Sequence, residues 1–547
     1  MMVRRRSGPG ATRRREATED PEVDQALDAM SAPELRAAIR FVLDQLDDGV
    51  KDSIIDALLA RGAKATSGWK PARPSPRIVE EAKSFSDAAR QIGQADPDDV
   101  TEHLRRATKA FLAGDHASAR AVFEAILPPI ASVDIDLGQH ELVEEVLRVD
   151  VRACVAQYAA SVYRTTTLRE RADAIIRALE QVQGVETLST PIKDMEEVSA
   201  GALPDLGMFL PRWVKRLERF RPSADEWETE RERWLREAVF RMDGVGGLER
   251  IARKTRRPQA CLAWYQALAD KGDWTAALKA SDAATRLVRQ SHWRGELLDG
   301  AALAAQELGR SDLSRRLEAA WRAAPTLTRL LRWLVADGYE WEPIRAKAAK
   351  ALARCPKTAT RQIGLLRALV GDVSGAGALL AKSPGLGWSN PDHPGHLLFP
   401  LLAALLSNRP IGDALVTELA ATGRDPLESF APTDDEHKPR LTTPPIVALI
   451  ESMRPSIALT DPHRDAAIDA MRVAADKRVE GILGNSRRQH YGHAALLVAS
   501  CVAYAPKKRV AEFLRWAEEL RQQYWRRHAF RQELARASES LGVTLPP

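Results

Sequence analysis

The chain has 547 residues, too many for a single compact core, so several domains or one extended repeat array are expected. Hydrophobic residues make up 45% and charged residues 28%, as in ordinary folded proteins, and the abundant Ala, Leu, Arg and Glu are good helix formers. The net charge of +5 is uneven: residues 1–15 carry six arginines and no acid, residues 483–547 carry eleven Lys and Arg against five Glu, and the stretch between is acidic. Basic ends of this kind attract a polyanion or dock on the acidic middle.

Residues 1–20 read as a disordered basic tail, with Gly8-Pro9-Gly10 between two Arg triplets. Residues 21–62 read as a helical hairpin. Ser31-Ala-Pro-Glu34 has capping-box spacing, and Leu35, Ile39, Val42 and Leu46 follow as an apolar stripe at helical period. Residues 63–78, with three prolines between Trp69 and Pro76, form a semi-rigid linker.

From residue 79 to 384 the chain reads as helical repeats. Four junctions stop a helix at glycine and place a small residue five positions later: Gly114 to Ala119, Gly272 to Ala277, Gly309 to Ser314 and Gly371 to Ala376. Glycine takes the left-handed cap, and the small residue allows close packing of the second helix on the first. Gly114 through Ala119 and Phe123 to Pro128, echoed by Gly309 to Pro325, resembles the second half of a tetratricopeptide repeat. Spacings are irregular; 37 residues separate Gly272 from Gly309, against roughly 34 for the regular repeat. Nine of the thirteen tryptophans lie between Trp213 and Trp341, where they are expected to fill gaps between irregular helix pairs.

Residues 385–547 read as a C-terminal helical region. It opens on a stretch from Lys382 to His396 rich in Pro and Gly, and a second polar loop spans residues 422–445. Leu397–Leu406 is apolar but only ten residues long, against the ~20 a membrane span needs, so it is expected to be a buried helix. The last helices break near Gly484 and Pro506 and end near Ser540.

Met30 to Arg36, Gly385 to Gly395 and Tyr524 to Leu534 together resemble stretches of uncharacterised bacterial helical-repeat proteins, some of which carry a SWIM zinc finger. The Cys-x-Cys and Cys-x-His ligands of that finger are missing here, since Cys154, Cys261, Cys355 and Cys501 lie far apart. Zinc and DNA binding are therefore not carried over, and the resemblance implies a helical-repeat fold with no known activity.

Three groups of residues could carry chemistry. Asp392, His393 and His396 put three metal-type ligands within five residues, although Pro394 and Gly395 mark a turn in which such side chains commonly serve the loop backbone. Arg521, Tyr524, Trp525, Arg526, Arg527 and Arg531 interleave cations with aromatics, which suits nucleic acid or the amphipathic cap of a solenoid with Trp525 turned inward. Gly244-Val-Gly-Gly247 precedes a basic helix but lacks the strand and the Lys-Ser/Thr of a phosphate loop, and His490 and His493 read as a polar helix face. No catalytic signature is found, and no cofactor is expected.

The expected fold is all-α, an irregular tetratricopeptide-like α-solenoid with a disordered basic N-terminal tail. The expected function is that of an intracellular adaptor, not an enzyme, that binds another protein. Two alternatives stay open: a nucleic-acid-associated protein using its basic termini, and an enzyme or metal protein with a site near His393 and His396. Widely spaced cysteines, an N-terminus without an apolar export segment and the lack of a membrane span make the expected location cytoplasmic.

Overall fold

At the four glycine junctions the backbone turns left-handed, with φ of 85° at Gly114, 70° at Gly272, 61° at Gly309 and 92° at Gly371. The residue after three of these glycines is aspartate, and its carboxylate caps the next helix. Asp115, Asp273 and Asp372 accept from the backbone N–H of Ser118, Ala276 and Gly375 at 3.2, 2.9 and 2.8 Å. The small residues follow the same logic: Ala119, Ala277 and Ala376 are completely buried against the preceding helix. Ser314 is the variant, since its hydroxyl donates to Asp337 at 3.0 Å.

Nothing lies within 4 Å of where a Cβ on Gly272 or Gly309 would sit. A side chain there meets only the backbone cost of the left-handed region. Gly272→Val should therefore lower stability by about 1–2 kcal/mol, and Gly272→Asn by less. Urea titration of both variants checks this, and equal losses would contradict it.

The computed structural model describes residues 21–65, 68–138, 142–199, 201–220, 227–423 and 438–545, and these fold as an all-α protein. Among them the one β contact is an isolated parallel bridge between Gln94 and Asp136. The expected tail at residues 1–20 and most of the second polar loop lie outside the described residues. The chain divides into two compact units at Gly244, where the backbone leaves helical geometry inside the Glu230–Thr255 run.

In the first unit, Ile78–Ile92 and Pro97–Leu112 both pack on His116–Ala131, and Val151–Thr165 and Arg171–Gln181 follow, around Phe123, Tyr158 and Tyr163. The segment ahead of them departs from expectation. The two expected helices are present as Ala32–Gln45 and Asp48–Lys64, which touch each other, but a further helix, Pro21–Ala29, precedes them. The capping box forms, with the Ser31 backbone N–H donating to Glu34 at 2.8 Å. The apolar stripe, however, is not a core face: Ile39 is 43% and Val42 52% exposed, and no residue of Ala32–Gln45 is buried. Periodicity reveals an amphipathic helix, but whether another element covers its apolar side is a tertiary matter.

In the second unit, helices from Pro258–Ala269 through Val373–Lys382 again pack on their chain neighbours. The order then breaks, because Asp461–Leu483 returns to lie against both Val373–Lys382 and Gly395–Leu406. The apolar Gly395–Leu406 helix is buried almost throughout, and no helix among the described residues is long and apolar enough to cross a membrane. Tryptophans serve mainly as filler here and in the first unit: Trp213, Trp234, Trp321 and Trp333 are buried, with Trp321 stacked on Trp333 at 5.3 Å. Trp227 is 72% exposed. Cys154, Cys261 and Cys501 are buried free thiols, and Cys355 is half-buried.

The closing segment corrects a second expectation. Residues 521–531 do not share one helix: Val510–Gln523 ends, Tyr524–Arg527 turns, and His528–Ser540 begins. Phe530 takes the inward position expected of Trp525, which is 60% exposed.

Candidate functional site

The Pro- and Gly-rich stretch after Lys382 folds around one indole. Trp388 is buried, and His393, His396 and His493 surround it with ring centroids 4.5, 5.2 and 4.7 Å away. Gly395, which opens the next helix, makes this packing possible, since a Cβ there would come within 2.2 Å of the indole.

The three candidate ligands at 392–396 point to different partners. Asp392 is exposed and pairs with the Arg361 guanidinium. His393 is buried and fully engaged: Nε2 donates to the Pro384 carbonyl at 2.9 Å, and Nδ1 accepts from the Gly395 N–H at 3.1 Å. Its neutral tautomer is thus fixed by the loop, and burial pushes its pKa down to about 4. His396 donates from Nε2 to the Trp388 carbonyl at 2.7 Å and meets Glu418 Oε1 through Nδ1 at 2.5 Å. Among the described residues no group of three or more His, Cys, Asp and Glu side chains is placed to hold a metal ion.

Glu418, on the Asp413–Thr422 helix, is the hub of this cluster. Burial alone would raise its pKa, but the His396 hydrogen bond and the close approach of His493 outweigh burial and hold it below the ordinary glutamate value. Both ring nitrogens of His396 thus face acceptor oxygens, Glu418 Oε1 and the Trp388 carbonyl. His493 Nε2 lies 3.5 Å from the same Oε1, and its Nδ1 accepts from Arg478 Nε at 3.2 Å. Arg478 is buried beside Trp388, and desolvation lowers its pKa to about 10.

His396, Glu418 and Trp388 form one wall of a cavity of about 1220 Å³ within the second unit. Its other walls are the starts of the Leu327–Leu334 and Thr360–Leu369 helices and part of Ser291–Glu307. Three arginines, Arg329, Arg332 and Arg361, share the lining with Glu296, Asp299, Asp392 and Glu418, so formal charges nearly cancel. They are also paired locally. Arg329 meets Asp299 at 2.7 Å, His292 meets Glu296 at 2.9 Å, and Arg361 is held by Asp392 and by the Pro391 carbonyl at 2.9 Å. Thr328, Thr358, Thr360, Ser389 and Thr417 place further hydroxyl-bearing side chains along a surface that is otherwise largely apolar. This balance suits a ligand with its own donors and acceptors, such as a peptide backbone, better than a free anion.

At one edge of the cavity the chain supplies such a backbone itself. The Gln306 side-chain amide takes both polar groups of an extended segment, donating from Nε2 to the Arg440 carbonyl at 2.9 Å and accepting from the Thr442 N–H at 3.0 Å. Arg332, a cavity residue, donates to Thr443 Oγ1 at 2.8 Å. Leu441, between the two gripped residues, is buried in the core.

The C-terminal candidates are dispersed. Arg521 pairs with Glu518, Tyr524 packs toward Phe530, and Arg531 is half-buried. Arg527 donates to the Leu483 carbonyl at 3.2 Å, which leaves Trp525 and Arg526 outermost. No protein-family model matches the chain, and no curated protein matches it.

Proposed function

We propose that the second unit binds an extended segment of a partner polypeptide in the cavity between Arg332 and Trp388, so that the protein works as an adaptor and not as an enzyme. The observation that carries this reading is the grip of Gln306 and Arg332 on residues 440–443. A side-chain amide that pairs with a backbone C=O and N–H reads main chain and tolerates many side chains. Arg332 belongs both to that grip and to the lining of the cavity. Its volume of about 1220 Å³ exceeds the roughly 300–1,000 Å³ typical of small-molecule pockets. Action inside the cell is supported by the buried free thiols Cys154, Cys261 and Cys501, which suit a reducing compartment.

Selection from a random-peptide library tests the proposal, using the wild type and a double variant Ser389→Trp, Thr417→Trp. Both positions line the cavity and are exposed, so the variant narrows it without disturbing the core. The wild type should enrich peptides that bind the variant at least tenfold more weakly. No enrichment, or peptides that bind both proteins equally, would refute the reading.

A further inference from the structure

Two basic loops that lie far apart in sequence come together at one end of the second unit. The first, Gly484–His490, follows the Asp461–Leu483 helix, and the second, Tyr524–Arg527, precedes His528–Ser540. Arg527 joins them: its guanidinium donates to the Leu483 carbonyl, which also accepts from the Ser486 N–H at 3.3 Å. Beneath the loops, Tyr491 and Tyr524 both pack against Phe530, with ring centroids 6.2 and 6.4 Å away. The loops hold Arg487, Arg488, Arg526 and Arg527 and no acid. Arg487, Arg488 and Arg526 are exposed.

Trp525 stands in the same surface, 60% exposed. An exposed tryptophan among arginines costs hydration and gains nothing in the core, where Phe530 has the inward place. The Arg526 guanidinium lies over the ring, 5.0 Å from its centroid, which covers one face and leaves the other for a flat partner. The acids around it are Glu480 and Asp476, whose charges bear on Tyr524, and Glu533, which pairs with Arg536 at 2.8 Å. Four guanidiniums therefore outweigh the local carboxylates.

We propose that this pair of loops binds single-stranded nucleic acid, with Trp525 stacking on one base and Arg487, Arg488 and Arg526 neutralising neighbouring phosphates. Stacking distinguishes this partner from a plain polyanion, which would use the arginines and ignore the ring. A single strand fits better than a duplex, since only a strand with unstacked bases presents a free face to an indole on a loop.

The test uses full-length protein and a fluorescein-labelled twelve-nucleotide oligothymidylate, read by anisotropy at several salt concentrations. Inorganic polyphosphate and vesicles containing anionic phospholipid serve as competitors. Trp525→Ala should weaken oligonucleotide binding about tenfold, as expected for loss of one stacked base. It should leave the salt slope unchanged, and Trp525→Phe should restore most of the affinity. Arg487→Glu with Arg488→Glu should lower the log–log salt slope by about 1.4, the value for two phosphates on a single strand. Equal binding by wild type and Trp525→Ala would overturn the proposal in favour of charge alone. Displacement by vesicles or polyphosphate at a lower phosphate concentration than unlabelled oligonucleotide needs would overturn it in favour of a lipid surface or a plain polyanion respectively. Binding unchanged in the double glutamate variant would place the contact elsewhere on the chain.

Discussion

Glu418→Ala should lower the stability of the second unit by about 3 kcal/mol. The carboxylate is the shared partner of His396 and His493 and the nearest compensation for the buried Arg478 cation. Removing it leaves a desolvated guanidinium without its nearby countercharge and the His396 imidazole without its acceptor. Replacing the whole group by apolar residues would cost less than removing one member, because the penalty comes from the charges left behind. Glu418→Gln keeps an acceptor oxygen for His396 and loses only the charge, so its cost should be about half as large. Urea unfolding of the three proteins at neutral pH measures this order. A Glu418→Ala midpoint equal to that of the wild type would show that the cluster contributes nothing to folding.

Acid should weaken the second unit between pH 6.5 and about 4. Folded His393 resists protonation until about pH 4, because burial disfavours its cation and its Nδ1 is occupied as an acceptor. The unfolded chain takes up that proton near pH 6.5. Stability that is fully present above pH 6.5 is therefore lost as pH falls toward 4, by on the order of 2 kcal/mol. Glu418 acts in the same direction at lower pH, since its depressed carboxyl protonates more readily in the unfolded chain. In the first unit, buried His116 is also pushed down to about 4 by desolvation, with Arg164 and Lys70 adding to it. Stability at pH 7 and pH 5, for the wild type and His393→Asn, separates these contributions. The variant should be less stable at pH 7 but lose less on acidification; an undiminished loss would assign the pH dependence to other groups.

The helix junctions of the all-α fold were legible because their signal is local. A glycine that must turn left-handed, an aspartate that caps and an alanine that packs leave marks within six residues, as at Gly272, Asp273 and Ala277. The candidate site was legible only in its loop. His393 and His396 stand out in sequence, but the loop's own carbonyls occupy His393, and His396 looks to Glu418 on another helix. Glu418 sits in an unremarkable helix, and Gln306 lies 134 residues from the carbonyl that it grips. Pairings of this kind depend on Asp461–Leu483 and residues 438–445 folding back across the earlier helices, which no local pattern encodes. His490 and His493 gave a partial clue through their spacing, although only His493 reaches the cluster. At the C-terminus the alternation of arginine and aromatics was visible, but the turn at Tyr524–Arg527 decides which of them face solvent.

Hydrogen exchange with and without a selected peptide tests the central claim most directly. If the second unit holds an extended polypeptide between Arg332 and Trp388, the peptide should slow exchange at residues 326–332, 358–362 and 388–396, which are the starts of two helices and the loop leading into a third around the cavity. Exchange in the first unit should not change. Protection confined to residues outside those three segments would contradict the account, because the peptide would then be bound elsewhere.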